Sequence, residues 1–356
     1  MKRAMVSVFA LLAAAELLGA DVVSAQEPAK SWSANVTSVT ASGSESKAYA
    51  PVTKATKAYR ICVLFPHLKD SIWLAVDYGI VEEARRSGVS VNIFQAGGYE
   101  NLPKQLAQFD DCLAGGYDAI VVGAISEAGL GRKFAEAKKE GKPVIAVLNP
   151  IEKAETAGKV FADNVVMGRQ TGTYLADHMA GKSARIVAFP GPAGSGWAEQ
   201  FLAGFKEVVQ KHADLKLLGE KFGDTGVAVQ LGLIQNALQT YPDMNVIWGT
   251  AATAEAAVGA VAEAGHSGTL VMSSYENQAM LDLLTQGKIL GFATQFPVLQ
   301  GRIAVDMAVR ALEQKPLMSF AMPSPVMVSK DTVSSLDIST ILAPRGFEAV
   351  YSVNAK

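Results

Sequence analysis

Short apolar runs alternate with amphipathic helical patterns along most of the chain. Between Ile61 and Asn149 the runs ICVLF, VNIF, DAIVVGA and PVIAVLN are separated by segments with helical periodicity, and glycine follows several of these segments. Apolar runs of about four to eight residues bounded by turn residues are typical of buried parallel strands, and helices between them form right-handed crossovers. The pattern predicts an α/β fold with helices on both faces of a parallel sheet.

The alternation begins again after a break at residues 161–164, which read FADN. A second series of strand and helix patterns runs to about residue 295, and one more helix pattern and the extended segment SPVMVSK follow. A chain that builds a second lobe and then adds a helix and a strand can cross back twice. The sequence therefore predicts two doubly wound parallel-sheet lobes, joined by a three-crossing hinge, with a ligand in the cleft. The predicted lobes are 58–161 plus about 296–322, and 162–295 plus about 323–356.

The N-terminus is typical of a secretory signal peptide. Lys2 and Arg3 precede an apolar stretch that is followed by Val-Ser-Ala at 23–25, so we predict a signal of residues 1–25, with cleavage after Ala25 favoured over Ala20. A membrane anchor is the alternative, but Glu16 interrupts the stretch, which is shorter than the ~20 residues that span a bilayer. The mature chain is expected to be exported and soluble, without membrane insertion, with 26–57 as a loose leader.

Composition and motifs argue against several classes of function. A net charge of -2 offers no general attraction for nucleic acid or for an anionic membrane. The four histidines show no metal-ligand spacing, and PGPAGSG lacks the lysine of a phosphate-binding loop. We find no nucleophile elbow and no paired-acid motif, so we predict a protein that is not an enzyme and needs neither metal nor cofactor.

The two cysteines are Cys62, in the first apolar run, and Cys112, near the end of the second helix pattern. An even pair in an exported protein favours a disulfide. Two buried free thiols are the alternative, because both residues lie among apolar neighbours.

Aromatic and polar side chains collect where the predicted strands end. Ligands of open α/β sheets bind at the carboxyl ends of the strands, so these exits are the expected site. Trp73 could instead pack the first helix onto the sheet, and Trp197 could be a lid or a packing residue. Several aromatic faces around one cleft suit a methylated ammonium-type or ring-shaped neutral ligand, which favours binding over catalysis. The predicted ligand-binding residues are Trp73, Tyr99, Asn149, Asn164, Trp197, Tyr275 and Gln295.

Longer stretches carry a family resemblance. FADN, GPAGSGWAEQFLAGF and FATQFPVLQG resemble type I periplasmic binding proteins of the ribose-binding kind. Within that family, ICVLFPHLKDSIWLAVDYGIVEEARRSGV, FQAGGYENLPKQLAQFDDC and APRGFEAVYSV are similar to the TorT-like group, the periplasmic sensor-binding proteins of the trimethylamine N-oxide respiratory system.

The TorT-like resemblance implies a receptor in the periplasm for a small methylated polar ligand such as trimethylamine N-oxide. It implies docking on the periplasmic domain of a hybrid sensor histidine kinase, within a two-component system. It also implies a disulfide between the two cysteines, which both lie in TorT-like segments, and ligand contacts from Trp73, Tyr99 and Tyr275.

Three positions depart from the relatives. The TorT-like group is expected to have a tryptophan where this chain has Asn164. Sugar-binding relatives have asparagine at this position, as this chain does. However, Leu148-Asn149 stands where ribose-type proteins have Asp-Arg, and Tyr275 where they have an aspartate. The alternative function is the sugar-binding component of an ABC importer, which the polar set of Asp163, Asn164 and Gln295 favours.

Overall fold

The computed structural model describes residues 31–355 of the chain. The predicted signal peptide lies outside the described residues. No helix within 31–355 combines the length and the apolar character that crossing a bilayer requires.

The strands are β1 (Ala34–Thr40), β2 (Gly43–Tyr49), β3 (Arg60–Phe65), β4 (Ser90–Gln95), β5 (Ala119–Val122), β6 (Val144–Val147), β7 (Gly158–Val160), β8 (Ala184–Phe189), β9 (Leu215–Glu220), β10 (Val246–Gly249), β11 (Leu270–Ser273), β12 (Gly291–Thr294), β13 (Ala321–Met322), β14 (Val326–Ser329) and β15 (Ser352–Val353). The α-helices are α1 (Ile72–Ser87), α2 (Leu102–Ala114), α3 (Glu127–Lys139), α4 (Asn164–Met179), α5 (Trp197–Val209), α6 (Val227–Thr240), α7 (Ala251–Glu263), α8 (Gln278–Thr285) and α9 (Pro297–Leu312).

Two separate parallel sheets form the centres of the two lobes. In the first lobe the strand order is β15-β4-β3-β5-β6-β7, in which only β15 is antiparallel to its neighbour. In the second lobe the order is β11-β10-β8-β9, all parallel, and β12 pairs with β14 as an antiparallel ribbon. Ile61 to Phe65 of β3 are fully buried, as expected for a central strand covered on both faces. The predicted fold class is confirmed.

Each lobe contains one pair of helices in very close contact. On α1 and α9, a Cβ added to Gly79 or Gly301 would lie 2.1 or 2.4 Å from a backbone oxygen of the facing helix. On α4 and α5, a Cβ added to Gly168 or Gly204 would lie 2.0 Å from such an oxygen. In both lobes, glycines allow the backbones of two helices to lie in contact, and only glycine fits at these four positions.

The chain passes between the lobes at three crossings before the C-terminal segment. The first crossing follows β7, the second joins β12 to α9, and the third joins β13 to β14. Helix α9 packs on α1, which returns the chain to the first lobe after the second crossing. At the second crossing Phe296 has a φ of 61°, in the left-handed region, immediately before Pro297.

The expectation of a loose leader at 26–57 is wrong for residues 34–49. These residues form the hairpin β1-β2, and β1 also pairs with β13. Trp32 stacks on Tyr49 with ring centroids 5.9 Å apart, and the Tyr49 hydroxyl donates to Asp306 of α9 at 2.6 Å. The hairpin is thus held by partners that lie more than 200 residues away in the sequence, which local composition does not reveal.

The assignment of 323–356 to the second lobe is wrong for its C-terminal end. After β14 the chain returns to the first lobe, where β15 pairs with β4 and covers an otherwise open sheet edge. Phe347 packs edge-on against Tyr78 of α1, with ring centroids 5.2 Å apart. The C-terminal segment is therefore a fourth connection between the lobes, additional to the three crossings.

The predicted disulfide is confirmed. Cys62 of β3 is bonded to Cys112 of α2, with a Cα–Cα distance of 5.9 Å, and both residues are fully buried. The alternative of two free thiols is excluded. The bond fixes α2 to the central strand of the first lobe.

Candidate functional site

A small cavity lies between the lobes, at the carboxyl ends of the strands. Its volume is ≈ 30 Å³, measured as the space open to the centre of a water-sized sphere. All seven residues predicted from the sequence lie on its wall: Trp73, Tyr99, Asn149, Asn164, Trp197, Tyr275 and Gln295. The structure brings them together; their contact with a ligand stays a prediction. The wall also includes Asp70, Ile72, Leu148, Phe201 and Thr225, which were not among the predicted ligand-binding residues.

Aromatic rings from both lobes meet around this cavity. The Trp197 ring lies edge-on to Tyr99 of the first lobe at 5.7 Å and to Tyr275 of the second lobe at 6.1 Å, centroid to centroid. Trp73 packs on Phe65 at 5.0 Å and also lines the cavity; its contact with a ligand stays a prediction. Tilted and edge-on contacts are the favourable geometries for aromatic pairs, so the rings form a stable wall.

A buried carboxylate, that of Asp70, faces the same cavity. It accepts hydrogen bonds from the Tyr275 hydroxyl at 2.6 Å, the Asn277 side-chain amide at 3.1 Å and the backbone N–H of Ile72 at 3.1 Å. Only 4% of Asp70 is exposed. Burial, and secondly the Asp70 charge, raise the pKa of Tyr275 well above its usual value, so the phenol stays protonated and donates.

Asp70 was missed for an identifiable reason. It stands just before α1, where an aspartate usually accepts hydrogen bonds from the first backbone N–H groups of a helix, and its bond to Ile72 does this. Asp70 lies three residues before Trp73 and follows the same strand, and this position could have indicated that it also lies at the site. Because Tyr275 and Asn277 belong to the second lobe, Asp70 also joins the lobes.

Other polar contacts hold the cleft closed. His67 Nε2 and Thr225 Oγ1 lie 3.0 Å apart and share a hydrogen bond, and Lys69 forms an ion pair with Asp224 at 3.1 Å. Burial lowers the pKa of His67 below its usual value. These contacts link the exit of β3 to the loop between β9 and α6, so the structure represents the closed arrangement of the two lobes.

Two amide side chains of the cavity wall are fixed by hydrogen bonds to neighbouring protein groups. Asn149 donates to the Tyr99 hydroxyl at 2.9 Å and to the backbone oxygen of Ala124 at 2.8 Å. Asn164 donates to Gln200 at 3.0 Å, and Gln200 in turn donates to Glu152 of the first lobe at 2.6 Å. Fixed amides next to aromatic rings can orient a polar ligand.

The geometry is suited to binding a small molecule. It combines aromatic faces, one carboxylate and oriented amides in a closed cleft, where a charged or polar ligand is attracted more strongly than in water. Within residues 31–355 no three side chains of histidine, cysteine, aspartate or glutamate are grouped so as to hold a metal ion.

A model of the periplasmic binding protein domain matches residues 61–316. The chain therefore belongs to the periplasmic binding protein family. Within it, the chain is 32% identical over 302 residues to the periplasmic protein TorT of Escherichia coli K12, a match that covers 84% of this chain and 86% of TorT. The TorT-like resemblance seen in the sequence is confirmed.

Solved structures agree with this placement. A crystal structure of an ABC transporter solute binding protein from Bradyrhizobium sp. BTAi1 with bound Bis-Tris is 39% identical, with a TM-score of 0.75, over 89% of this chain and 97% of that one. TorT in complex with the TorS sensor domain, in the presence of TMAO, is 28% identical, with a TM-score of 0.74, over 82% and 99%. The two similar structures differ in the small molecule present, which is Bis-Tris in one and TMAO in the other.

Proposed function

We propose that the protein is a non-enzymatic periplasmic receptor for a small methylated amine or amine oxide, with trimethylamine N-oxide as the first candidate. Binding would be reported to the periplasmic domain of a sensor histidine kinase. The observation that carries this proposal is the buried Asp70 carboxylate inside a wall of aromatic rings.

The chemistry of the wall favours a methylated nitrogen. The faces of tryptophan and tyrosine rings attract N-methyl groups that share a positive charge, and Asp70 adds a complementary negative charge. The Trp197 indole N–H has no hydrogen-bond partner of good geometry among residues 31–355, so it is available to an oxygen of the ligand. The small cavity suits a ligand of few atoms. Bis-Tris, present in the 39% identical structure, is itself a tertiary amine.

The partner is inferred from the TorT similarity. TorT forms a complex with the TorS sensor domain, and the match to TorT spans most of both chains. The contacts of Asp70 with Tyr275 and Asn277 join the two lobes, so opening of the cleft would break them. A ligand that contacts both lobes shifts the equilibrium towards closure, and a partner that contacts both lobes can detect this change.

Calorimetric titration with trimethylamine N-oxide, tetramethylammonium chloride and ribose tests the ligand. We expect saturable binding of the two methylated compounds. Tyr275→Ala should weaken binding by about tenfold or more, because it removes a ring and the hydroxyl donor of Asp70. Asp70→Asn should weaken tetramethylammonium more than the N-oxide, because only the former carries a net charge. Asp111→Asn, on the exposed face of α2, is the matched control. Binding of ribose alone would contradict the proposal.

A second candidate is delivery of a solute to an ABC transporter. It is favoured by the 39% identity to an ABC transporter solute binding protein and by the polar residues Asn164 and Gln295 on the cavity wall. Capture from membranes of the native host with ligand-loaded protein separates the two functions. Recovery of permease subunits without a histidine kinase would favour transport.

A further inference from the structure

A fully buried carboxylate, that of Glu276, lies directly behind the ligand cavity. Glu276 is 0% exposed and stands between Tyr275 and Asn277, the two residues that hold Asp70. No salt bridge reaches it within residues 31–355. A buried charge without an ion pair is unfavourable unless hydrogen bonds compensate, so its partners indicate its role.

The hydrogen bonds that the Glu276 side chain accepts from other residues come from residues 294–296, at the start of the second crossing. One carboxylate oxygen of Glu276 accepts from the Thr294 hydroxyl at 2.6 Å and from the backbone N–H groups of Gln295 at 2.9 Å and Phe296 at 3.2 Å. The other oxygen has no partner in the described part of the chain. Burial raises the pKa of Glu276 to about 7, against the opposing effect of these hydrogen bonds.

The segment held in this way is conformationally unfavourable. Phe296 has a φ of 61°, a region that residues with a Cβ avoid, and it precedes a proline, which restricts its backbone further. Gln295 lies on the cavity wall, and α9 begins at Pro297. Phe296 thus lies between a residue of the cavity wall and the first residue of α9. A strained backbone conformation of this kind persists only where the surrounding structure stabilises it.

We propose that Glu276 is a positioning residue for ligand binding, whose carboxylate fixes the second crossing so that the Gln295 side chain is presented to the ligand in the closed cleft. The identity of the ligand in this inference rests on the proposed function. The fixing of the crossing by Glu276 rests only on the hydrogen bonds described above. Glu276 itself is not on the cavity wall. Its effect on binding passes through Gln295.

Amide hydrogen exchange in the ligand-free protein tests the first step. The Gln295 and Phe296 amides should exchange slowly in the wild type and at least about tenfold faster in Glu276→Ala, which removes their acceptor. Glu276→Gln keeps one acceptor oxygen but loses the negative charge, so exchange should be several-fold faster than in the wild type and slower than in Glu276→Ala. The amides of β3 in the other lobe should not change. Unchanged exchange at both crossing amides in Glu276→Ala overturns the proposal. If Glu276→Ala does not fold, the same comparison is made with Glu276→Gln and Thr294→Val, each of which should increase exchange several-fold.

A double-mutant cycle tests the second step, with trimethylamine N-oxide and tetramethylammonium chloride as probes. Glu276→Gln should weaken the affinity about fivefold, and the same change in a Gln295→Ala background should have less than about a twofold effect, because the residue it positions is gone. Equal effects in both backgrounds, or a loss of stability at unchanged affinity, would show a purely structural role and overturn the proposal. If the wild type binds neither probe, the proposed ligand is wrong, and the exchange experiment alone decides the role of Glu276.

Discussion

Replacement of Asp77 by asparagine is expected to change how the stability of the fold depends on pH. Asp77 lies on α1, one turn after Trp73, and is 1% exposed. One carboxylate oxygen accepts from the backbone N–H of Val350 at 2.9 Å, and the other has no partner among residues 31–355. Burial raises the pKa of Asp77 from 3.8 to about 7, against the opposing effects of the Val350 hydrogen bond and the Arg85 charge.

The direction and the size of the effect follow from this shift. Because the pKa of Asp77 is higher in the folded protein than in the unfolded chain, its contribution to stability is full below about pH 4 and is lost as the pH rises to about 7. One pKa unit corresponds to about 1.36 kcal/mol, and about two of the roughly three units are lost between pH 5 and pH 8. The wild type should therefore lose about 3 kcal/mol of unfolding free energy through Asp77 over this interval, whereas Asp77→Asn should not.

Urea unfolding followed by tryptophan fluorescence at pH 5, 6, 7 and 8 measures this difference. Glu276 also has a pKa of about 7, but it is present in both proteins and cancels in the comparison. Asp111→Asn, at an exposed position on α2, is the control and should follow the wild type at every pH. A wild-type-minus-Asp77→Asn difference that stays constant to within about 0.5 kcal/mol from pH 5 to pH 8 would refute the reasoning.

Three further perturbations have defined outcomes. Reduction of the Cys62–Cys112 disulfide, which spans 50 residues of sequence, should lower the free energy of unfolding by about 4 kcal/mol, measured in urea with and without reductant. Gly301→Ala would place a Cβ 2.4 Å from a backbone oxygen of α1 and should destabilise the protein by about 1–3 kcal/mol in thermal unfolding, whereas Gly131→Ala, in open space on α3, should be neutral or slightly stabilising. Burial lowers the pKa of His67 in the closed protein, so protonation of His67 at acid pH favours an open cleft. Ligand affinity, measured by calorimetric titration, should therefore fall as the pH drops below about 6.5. His67→Gln should remove most of this fall.

The parts of the structure that sequence predicts are those set by local periodicity. The run Ile61 to Phe65 reads as a buried strand, and β3 is one. The rule that ligands bind at strand exits placed the cavity correctly, because the carboxyl ends of parallel strands lie together whatever the loops do. Trp73 and Tyr275, which are 202 positions apart in the sequence, therefore line one cavity.

The parts that sequence reasoning missed depend on distant partners. The hairpin β1-β2 has a polar composition, and it is held by a few contacts such as that between Tyr49 and Asp306. The C-terminal segment joins the first lobe by edge pairing with β4, which uses backbone groups and leaves little trace in side-chain pattern. Asp70 was not predicted, because its contacts need Tyr275 and Asn277 from the other lobe, which local sequence does not place beside it.

The hydrogen bonds of Asp70 explain how one residue can serve both ligand binding and lobe closure. A carboxylate offers about four lone-pair positions, and in this structure Ile72, Tyr275 and Asn277 occupy three of them. A ligand in the cavity can therefore interact with the remaining position and with the negative charge without displacing the contacts that join the lobes. In an open protein Asp70 would lose its two partners from the second lobe, and the aromatic wall would lose its second half. In the proposed function, the ligand would thus make more contacts with the closed state than with the open one, and this difference would shift the equilibrium towards closure.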